Sequence, residues 1–371
     1  MSSPKRWTIL VVLVLTILVG TVVTVNVIID ADGVLRTDYT RQFQPPNMSV
    51  AKVNYLLRNK SKYDSYVFGS SREGGIHVEH IAFGRWYNMF YAAGLPEEHL
   101  EHLRFFLTHG ITVKTVLIGL DDFSHLFDAR QLLSNLDLQP HPAVSGKSLL
   151  AFYGENFFRL NRIVPQVSAY IRYNYTHWQP PDKRQLIYDI EGSGNIFCRD
   201  CDEAVERNVQ EHIHSQKFLR PWEYRFLEGN NLNHALNVMR EIADLSRKNN
   251  IRLIVFFNPI HKTTYLNTDL ERFAEFKRGL AKIMNYYDFS GLNSITTDNY
   301  YYYETSHFRP LVGDMMLSRM LGSPRVAIPE DFGVLVTKEN SAEHLRSLCL
   351  QLKDISSELS NANAAWAASC R

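Results

Sequence analysis

Ser71 closes a Gly69-Ser70-Ser71 turn directly after the short apolar run Tyr66-Val67-Phe68. Where a strand gives way to a helix, a serine hydroxyl stands exposed and its own N–H shares a crevice with the helix N-terminus. Such a serine can attack an acyl carbonyl beside donors that receive the developing oxyanion. Alone, the tripeptide is more often a helix cap. A second element, Glu304-Thr305-Ser306-His307, stands far along the chain. A carboxylate three residues before a histidine can orient the ring and stabilise the imidazolium of a general base. The spacing by itself says little. The chain has 39 acids and 14 histidines among 371 residues, which gives about one or two such pairs by chance. It holds three: Asp122 with His125, Glu211 with His214, and Glu304 with His307. Only the last falls between the last predicted strand and a predicted closing helix, so position selects it.

The other predicted strand ends supply further candidates. Gly94 follows one strand and Gly119-Leu120-Asp121-Asp122 another. A small residue at Gly94 lets backbone N–H groups approach a substrate oxygen, so the oxyanion candidates are the N–H groups of Ser71 and Gly94, together with Asp121. A plain turn glycine and an aspartate helix cap are the competing readings. Arg72 and Arg309 flank the serine and the histidine, and His261 ends the most apolar predicted strand. All three are candidates to hold substrate, with ion pairs and a hydrogen-bonded loop histidine as the alternatives. Tyr300 to Tyr303 can stack on a sugar ring or pack in the core. His212 and His214, two residues apart, face different sides and make no metal site.

These residues need a frame that carries them to one edge. Strands are predicted over 66–68, 86–90, 113–119, 251–257 and 286–289. Helices are predicted over 97–109, 231–249, 270–284 and 312–321, the first two with apolar residues on one face. Strands separated by such helices imply right-handed β-α-β units and a mostly parallel sheet. Ligands then bind outside the carboxyl ends of the strands, where every candidate lies. Residues 125–230, rich in aromatics, Pro and Asn and broken at Pro180-Pro181, interrupt the alternation and read as an insertion over one end of the sheet. The α/β domain is placed at 61–325. A membrane-proximal segment spans 31–60, and a C-terminal extension over 326–371 is helical from about 338 to 360 and ends in a small-residue tail.

Thr8 to Ile29 is an uncharged run of 22 residues, long enough at about 1.5 Å per residue for a ~30 Å hydrocarbon layer. Lys5 and Arg6 precede it, and Asp30 and Asp32 follow. The positive flank should stay cytosolic, leaving the C-terminal domain periplasmic or extracellular. A cleaved signal peptide would end in a small-x-small site, and Val25-Asn26-Val27-Ile28-Ile29 offers none. Residues 1–30 are therefore read as a cytosolic tip and an uncleaved anchor. The net charge of +1 gives no reason to expect nucleic acid. Of four cysteines, Cys198 and Cys201 form a C-x-x-C, read as a local disulfide or two idle thiols, while Cys349 and Cys370 read as lone. A metal site would want two further soft ligands. No metal or other cofactor is expected.

In order and spacing, Gly69-Ser70-Ser71, Gly94, Gly119-Leu120-Asp121-Asp122 and Glu304-Thr305-Ser306-His307 resemble the four blocks of the SGNH (GDSL-like) hydrolase superfamily, over roughly residues 62–125 and 231–322. The resemblance implies a three-layer α/β/α, flavodoxin-like fold behind one transmembrane helix, with Ser71 as nucleophile and His307 as base. With the anchor, the chain looks like the exported envelope members of that superfamily, such as the alginate O-acetylation proteins and the D-alanine transfer protein of teichoic acid. Those act beside a membrane-bound O-acyltransferase. The implied activity is a serine esterase or O-acetyltransferase on an envelope polysaccharide or acylated glycan. A glycan-binding or assembly subunit is the non-enzymatic alternative. A phosphate-binding domain ranks last, because the glycine-rich loop and lysine of a P-loop are missing. Three positions depart from the pattern. Ser70 replaces an aspartate outside the triad, and Glu304 replaces the triad aspartate. Asp121 stands where the family has an oxyanion-hole asparagine, and an ionised carboxylate has no proton to donate. Either Asp121 points elsewhere, or it is protonated, or backbone N–H groups carry the oxyanion.

Overall fold

The computed structural model describes residues 4–36, 38–39, 45–127, 138–161, 163–176, 186–198, 200–223, 231–322 and 325–370. The Pro180-Pro181 break lies outside them. The strands are β1 (Ser65–Phe68), β2 (Trp86–Asn88), β3 (Thr115–Leu120), β4 (Leu186–Tyr188), β5 (Ile196–Cys198), β6 (Arg252–Phe257), β7 (Tyr286–Asp288) and β8 (Val334–Val336). Six form the central sheet in the order β2-β1-β3-β6-β7-β8. All neighbouring pairs are parallel except β7 with β8. The chain is thus mixed α/β with a mostly parallel sheet and one N-terminal apolar helix.

The central strands are runs of Val, Ile, Leu, Phe and Tyr because both sheet faces are covered. Side chains alternate between those faces. Tyr66, Phe68, Val116, Ile118 and Leu120 share one core with Leu100 and Phe106 of helix Pro96–Thr108, Ile242 of Leu232–Lys248, and Phe273 of Leu270–Ala281. Val67, Leu117 and Phe256 share the opposite core with Val312 and Met316 of helix Pro310–Leu321. Each predicted helix of the alternation is present with its ends shifted by a few residues.

Four features differ from the sequence reading. Helix Met48–Arg58, taken above as part of the membrane-proximal segment, puts Ala51, Val53 and Leu56 into the main core. Beyond β7 the chain adds β8, whose three residues are too few to show a period. The small-residue tail forms helix Asn361–Ser369, consistent with its alanines. Cys349 and Cys370, read as lone, are disulfide-paired, as are Cys198 and Cys201. The C-terminal extension is also held by charge. Buried Asp288 of β7 takes Lys277 Nζ and His344 Nε2, both at 2.8 Å. Burial opposes ionisation of Asp288, but the Lys277 ammonium and the hydrogen bond from His344 hold its carboxyl below the usual carboxylate range.

Helix Pro4–Ile29 is long and apolar enough to cross a membrane. Most of its length is exposed, and it meets the rest of the molecule near its C-terminal end. There buried Asn26 donates to the carbonyls of Phe157 (2.8 Å) and Arg159 (3.1 Å).

Candidate active site

The loop from residue 302 to 308 doubles back on itself. Tyr302 and Phe308 form an antiparallel bridge, and Tyr303 N–H donates to His307 O at 2.9 Å. Both aromatic rings are buried in the core, so they anchor the loop and leave Glu304 and His307 at its tip. Glu304 accepts from the backbone N–H groups of Ser306 (2.7 Å) and His307 (2.9 Å). The same carboxylate also bonds His307 Nδ1. Burial would raise the Glu304 pKa, but the bonds from the imidazole and the two N–H groups hold it below the usual range. A carboxylate only accepts, so Nδ1 carries a proton, and in the neutral ring Nε2 is the nitrogen with the free lone pair. Ser71 Oγ lies 2.9 Å from that Nε2. Residues 236 positions apart in sequence thus form a hydroxyl–imidazole–carboxylate array at the carboxyl end of β1.

Ser71 opens the short 3₁₀ turn Ser71–Gly75. The side chain of Ser70, not Ser71, caps that turn by accepting from Arg72 N–H at 3.3 Å, which leaves the Ser71 hydroxyl free for the imidazole. Beyond β2 the chain continues alongside β1. Met89 N–H donates to Val67 O (2.7 Å) and Tyr91 N–H to Gly69 O (3.2 Å). Gly94 sits at the end of this stretch, so close to Gly69 that a Cβ would fall 2.5 Å from its carbonyl oxygen. Only glycine permits that approach. Lys52, fully buried, braces the same stretch by donating to the carbonyls of Asn88 (2.8 Å) and Phe90 (2.9 Å). A cavity of about 490 Å³ opens beside Ser71, lined by Tyr91, Ala92, Ser49, Tyr188 and Ile196 among others. Tyr188 and Ile196 come from the β4–β5 hairpin of the insertion.

Asp121 is no oxyanion donor. It is fully buried, and its Oδ1 accepts from Arg72 Nη1 and, at 2.9 Å, from Asn258 Nδ2. The reason is Arg72, which was read as a substrate ligand. Its guanidinium points inward, bonding Asp121, Asp122 Oδ1 at 3.0 Å and, through Nε, Ser306 O at 3.0 Å. Arg72 therefore ties the serine turn to the histidine loop. Arg72→Met is expected to destabilise the fold by about 3–5 kcal/mol by stranding two buried carboxylates. Urea unfolding followed by circular dichroism measures it, and a loss under about 1 kcal/mol would contradict this role.

Glu73 and Asn258 complete this layer and were missed in the sequence. Asn258 Nδ2 donates to Glu73 Oε1 at 2.6 Å, and the Glu73 carboxyl occupies the space where a Cβ on Gly119 would sit. Burial, reinforced by nearby Asp121, pushes the Glu73 carboxyl up to about 8. The native state then keeps a proton that the unfolded chain releases near pH 4.3, so this carboxyl's own contribution to stability is lost as pH rises from there toward 8. Glu73→Gln holds the neutral shape and is expected to remove that loss, so its melting temperature gains on the native chain's as pH rises from about 4.3 toward 8. Glu98 is likewise raised by burial to about 8, and the substitution leaves its contribution in place. Parallel melting curves for the two proteins would refute the assignment.

The remaining candidates are held by the protein. His261 is buried, with Nε2 2.8 Å from Asn299 Oδ1 and Nδ1 accepting from Thr263 N–H at 3.2 Å. Arg309 pairs with Asp202 (2.6 Å) and Glu206 (2.7 Å), pinning helix Cys201–Arg207 to the histidine loop. Trp222, missed because it lies in the insertion, sets its ring edge-on to His307 at 5.5 Å. Among the described residues, His77, Glu79 and His80 bring ligand atoms within 4.8 Å of one another. His80 Nδ1 rests on Asp314 Oδ1 at 2.6 Å, and Glu79 accepts from Asn195, so hydrogen bonds within the protein hold this group together. Comparison with models of known protein families and with curated proteins finds no match for the chain.

Proposed function

We propose that the chain is a membrane-anchored, extracytoplasmic serine esterase or O-acetyltransferase of SGNH type, acting on a cell-envelope polysaccharide or acylated glycan. One observation carries this reading: Ser71 Oγ stands 2.9 Å from an imidazole nitrogen whose opposite nitrogen is bonded to a carboxylate. Three others support it. Counted alone, the five parallel strands run 2-1-3-4-5, the order of flavodoxin-like doubly wound sheets. Helices cover both faces, as a three-layer arrangement needs. Both cysteine pairs are oxidised, as suits a domain outside the cytosol.

In the reaction, Ser71 Oγ attacks the acyl carbonyl carbon while its proton passes to His307 Nε2. The carbonyl electrons move onto oxygen, where the N–H groups of Ser71 and Gly94 receive them. The intermediate collapses, the bond to the leaving alkoxide breaks, and the imidazolium returns its proton to that oxygen. Acyl-Ser71 remains. Water or a glycan hydroxyl then loses a proton to His307 and attacks the ester; the bond from the acyl carbon to Ser71 Oγ breaks, and the imidazolium returns that proton to Oγ. Glu304 holds the ring in the required tautomer throughout. A membrane-bound O-acyltransferase is the partner this reading implies.

The assembly-subunit reading draws on one fact: with Asp121 turned inward, the oxyanion site rests on backbone donors alone. Reacting the full chain in nanodiscs with a fluorophosphonate, then mapping adducts by mass spectrometry, separates the two. One adduct, on the peptide holding Ser71, is expected. A folded protein without it would favour the subunit.

A further inference from the structure

We infer that residues 149–161 and 163–175 form a second membrane contact, lying on the lipid surface beside the anchor and setting the Ser71 cavity toward the bilayer. The segment is built against solvent. Leu150 is 88% exposed, Val164 78%, Leu160 72% and Ile171 62%. On helix Ile163–Thr176, Ile163, Val167, Ile171 and Tyr175 recur every fourth residue and so share one face. They line an open groove of about 570 Å³ with Ser168 and Arg172 at its side. Soluble surfaces rarely gather so many large apolar side chains without a partner to cover them. An apolar face with a cation beside it suits the boundary between headgroups and acyl chains, where the arginine stem lies flat and its head stays in water.

Continuity with the anchor identifies the occupant as lipid. The segment joins helix Pro4–Ile29 near its C-terminal end, through Asn26 and the carbonyls of Phe157 and Arg159. Arg159 Nη1 adds an ion pair to Asp32 at 3.5 Å. If the anchor spans the bilayer, this junction is where it emerges, and the apolar face stands at the height of the interface. The other side of the same helix reaches the candidate active site. Pro165 and Gln166 line the cavity that Ser71 lines, together with Asp32 and Pro45 to Ser49. A substrate carried on a lipid or held in a membrane protein would enter from that side. This last step rests on the acyl-transfer reading; the membrane contact does not.

The test uses the full chain. Its four cysteines are paired, so a single introduced thiol takes an environment-sensitive NBD label. Leu150→Cys, Val164→Cys and Ile171→Cys are compared with Lys338→Cys, an exposed site beyond β8, in phosphatidylethanolamine–phosphatidylglycerol vesicles with and without brominated acyl chains. All four variants share the anchor, so differences report local depth. Blue-shifted emission quenched by bromine at the first three sites, and not at Lys338→Cys, is expected. Labels as wet and unquenched as the Lys338→Cys label would overturn the proposal. So would shielding without quenching that accompanies crosslinks between copies, which would assign the face to a second chain. Since ester turnover is not read, failure here and failure of the serine chemistry remain distinguishable.

Discussion

Ser71→Ala is expected to lower acetyl-ester turnover by about 10⁴–10⁶-fold while leaving the melting temperature nearly unchanged. The size follows from the loss of the proposed attacking atom, since no other described hydroxyl is bonded to His307 Nε2. The structural silence follows from Ser70. That residue caps the turn, whereas the Ser71 hydroxyl bonds only the imidazole. Ser70→Ala is therefore the informative control: it should cost about 1 kcal/mol of stability and little turnover. The two serines stand side by side in one turn, so nonspecific damage would strike both. Purified chains assayed for acetate release decide the matter. Retained turnover in Ser71→Ala, with loss in Ser70→Ala, would move the nucleophile by one residue. Retained turnover in both would remove serine chemistry from the site.

The frame was legible because apolar periodicity is a local signal. Tyr66-Val67-Phe68 and Ile251 to Phe257 read as buried strands from composition alone, and the amphipathic helices between them fixed the parallel order. Ser71 and His307 were legible for a related reason, since strand ends in a doubly wound sheet converge. What failed was direction. Sequence places Arg72 and Asp121 at the crevice, but not which way their side chains turn. Once Arg72 turns inward, it can meet Asp121, Asp122 and the Ser306 carbonyl together, and that set of partners exists only in three dimensions. Glu73 and Asn258 were missed likewise, because a buried carboxyl leaves no periodicity. Trp222 lay in a segment without alternation, and the Cys349–Cys370 pair closes across two helices whose packing no local pattern announces.

Glu304→Gln probes the carboxylate of the array. The substitution keeps the side chain's length and removes its charge. An amide can accept the Nδ1 proton, or it can donate to Nδ1 and leave the proton on Nε2, where it faces Ser71 and blocks proton uptake. Stabilisation of the imidazolium is lost in either case. Turnover near neutral pH is expected to fall about 10⁴-fold. The stability effect should depend on pH with a definite sign. Because the native pKa of Glu304 lies below the usual value, its contribution is present above the unfolded carboxylate range and disappears as pH falls through the native pKa. The gap in melting temperature between the native chain and Glu304→Gln should therefore close in acid. Glu304→Asp separates charge from reach: it keeps the carboxylate but recesses it by about one C–C bond, ~1.5 Å, while the two N–H bonds of the loop still pull it back. An intermediate loss is expected, recovered only if the 302–308 loop shifts. Glu304→Gln with turnover within tenfold of the native chain would show that the carboxylate orients the loop and nothing else, and the general-base assignment would then rest on His307 alone.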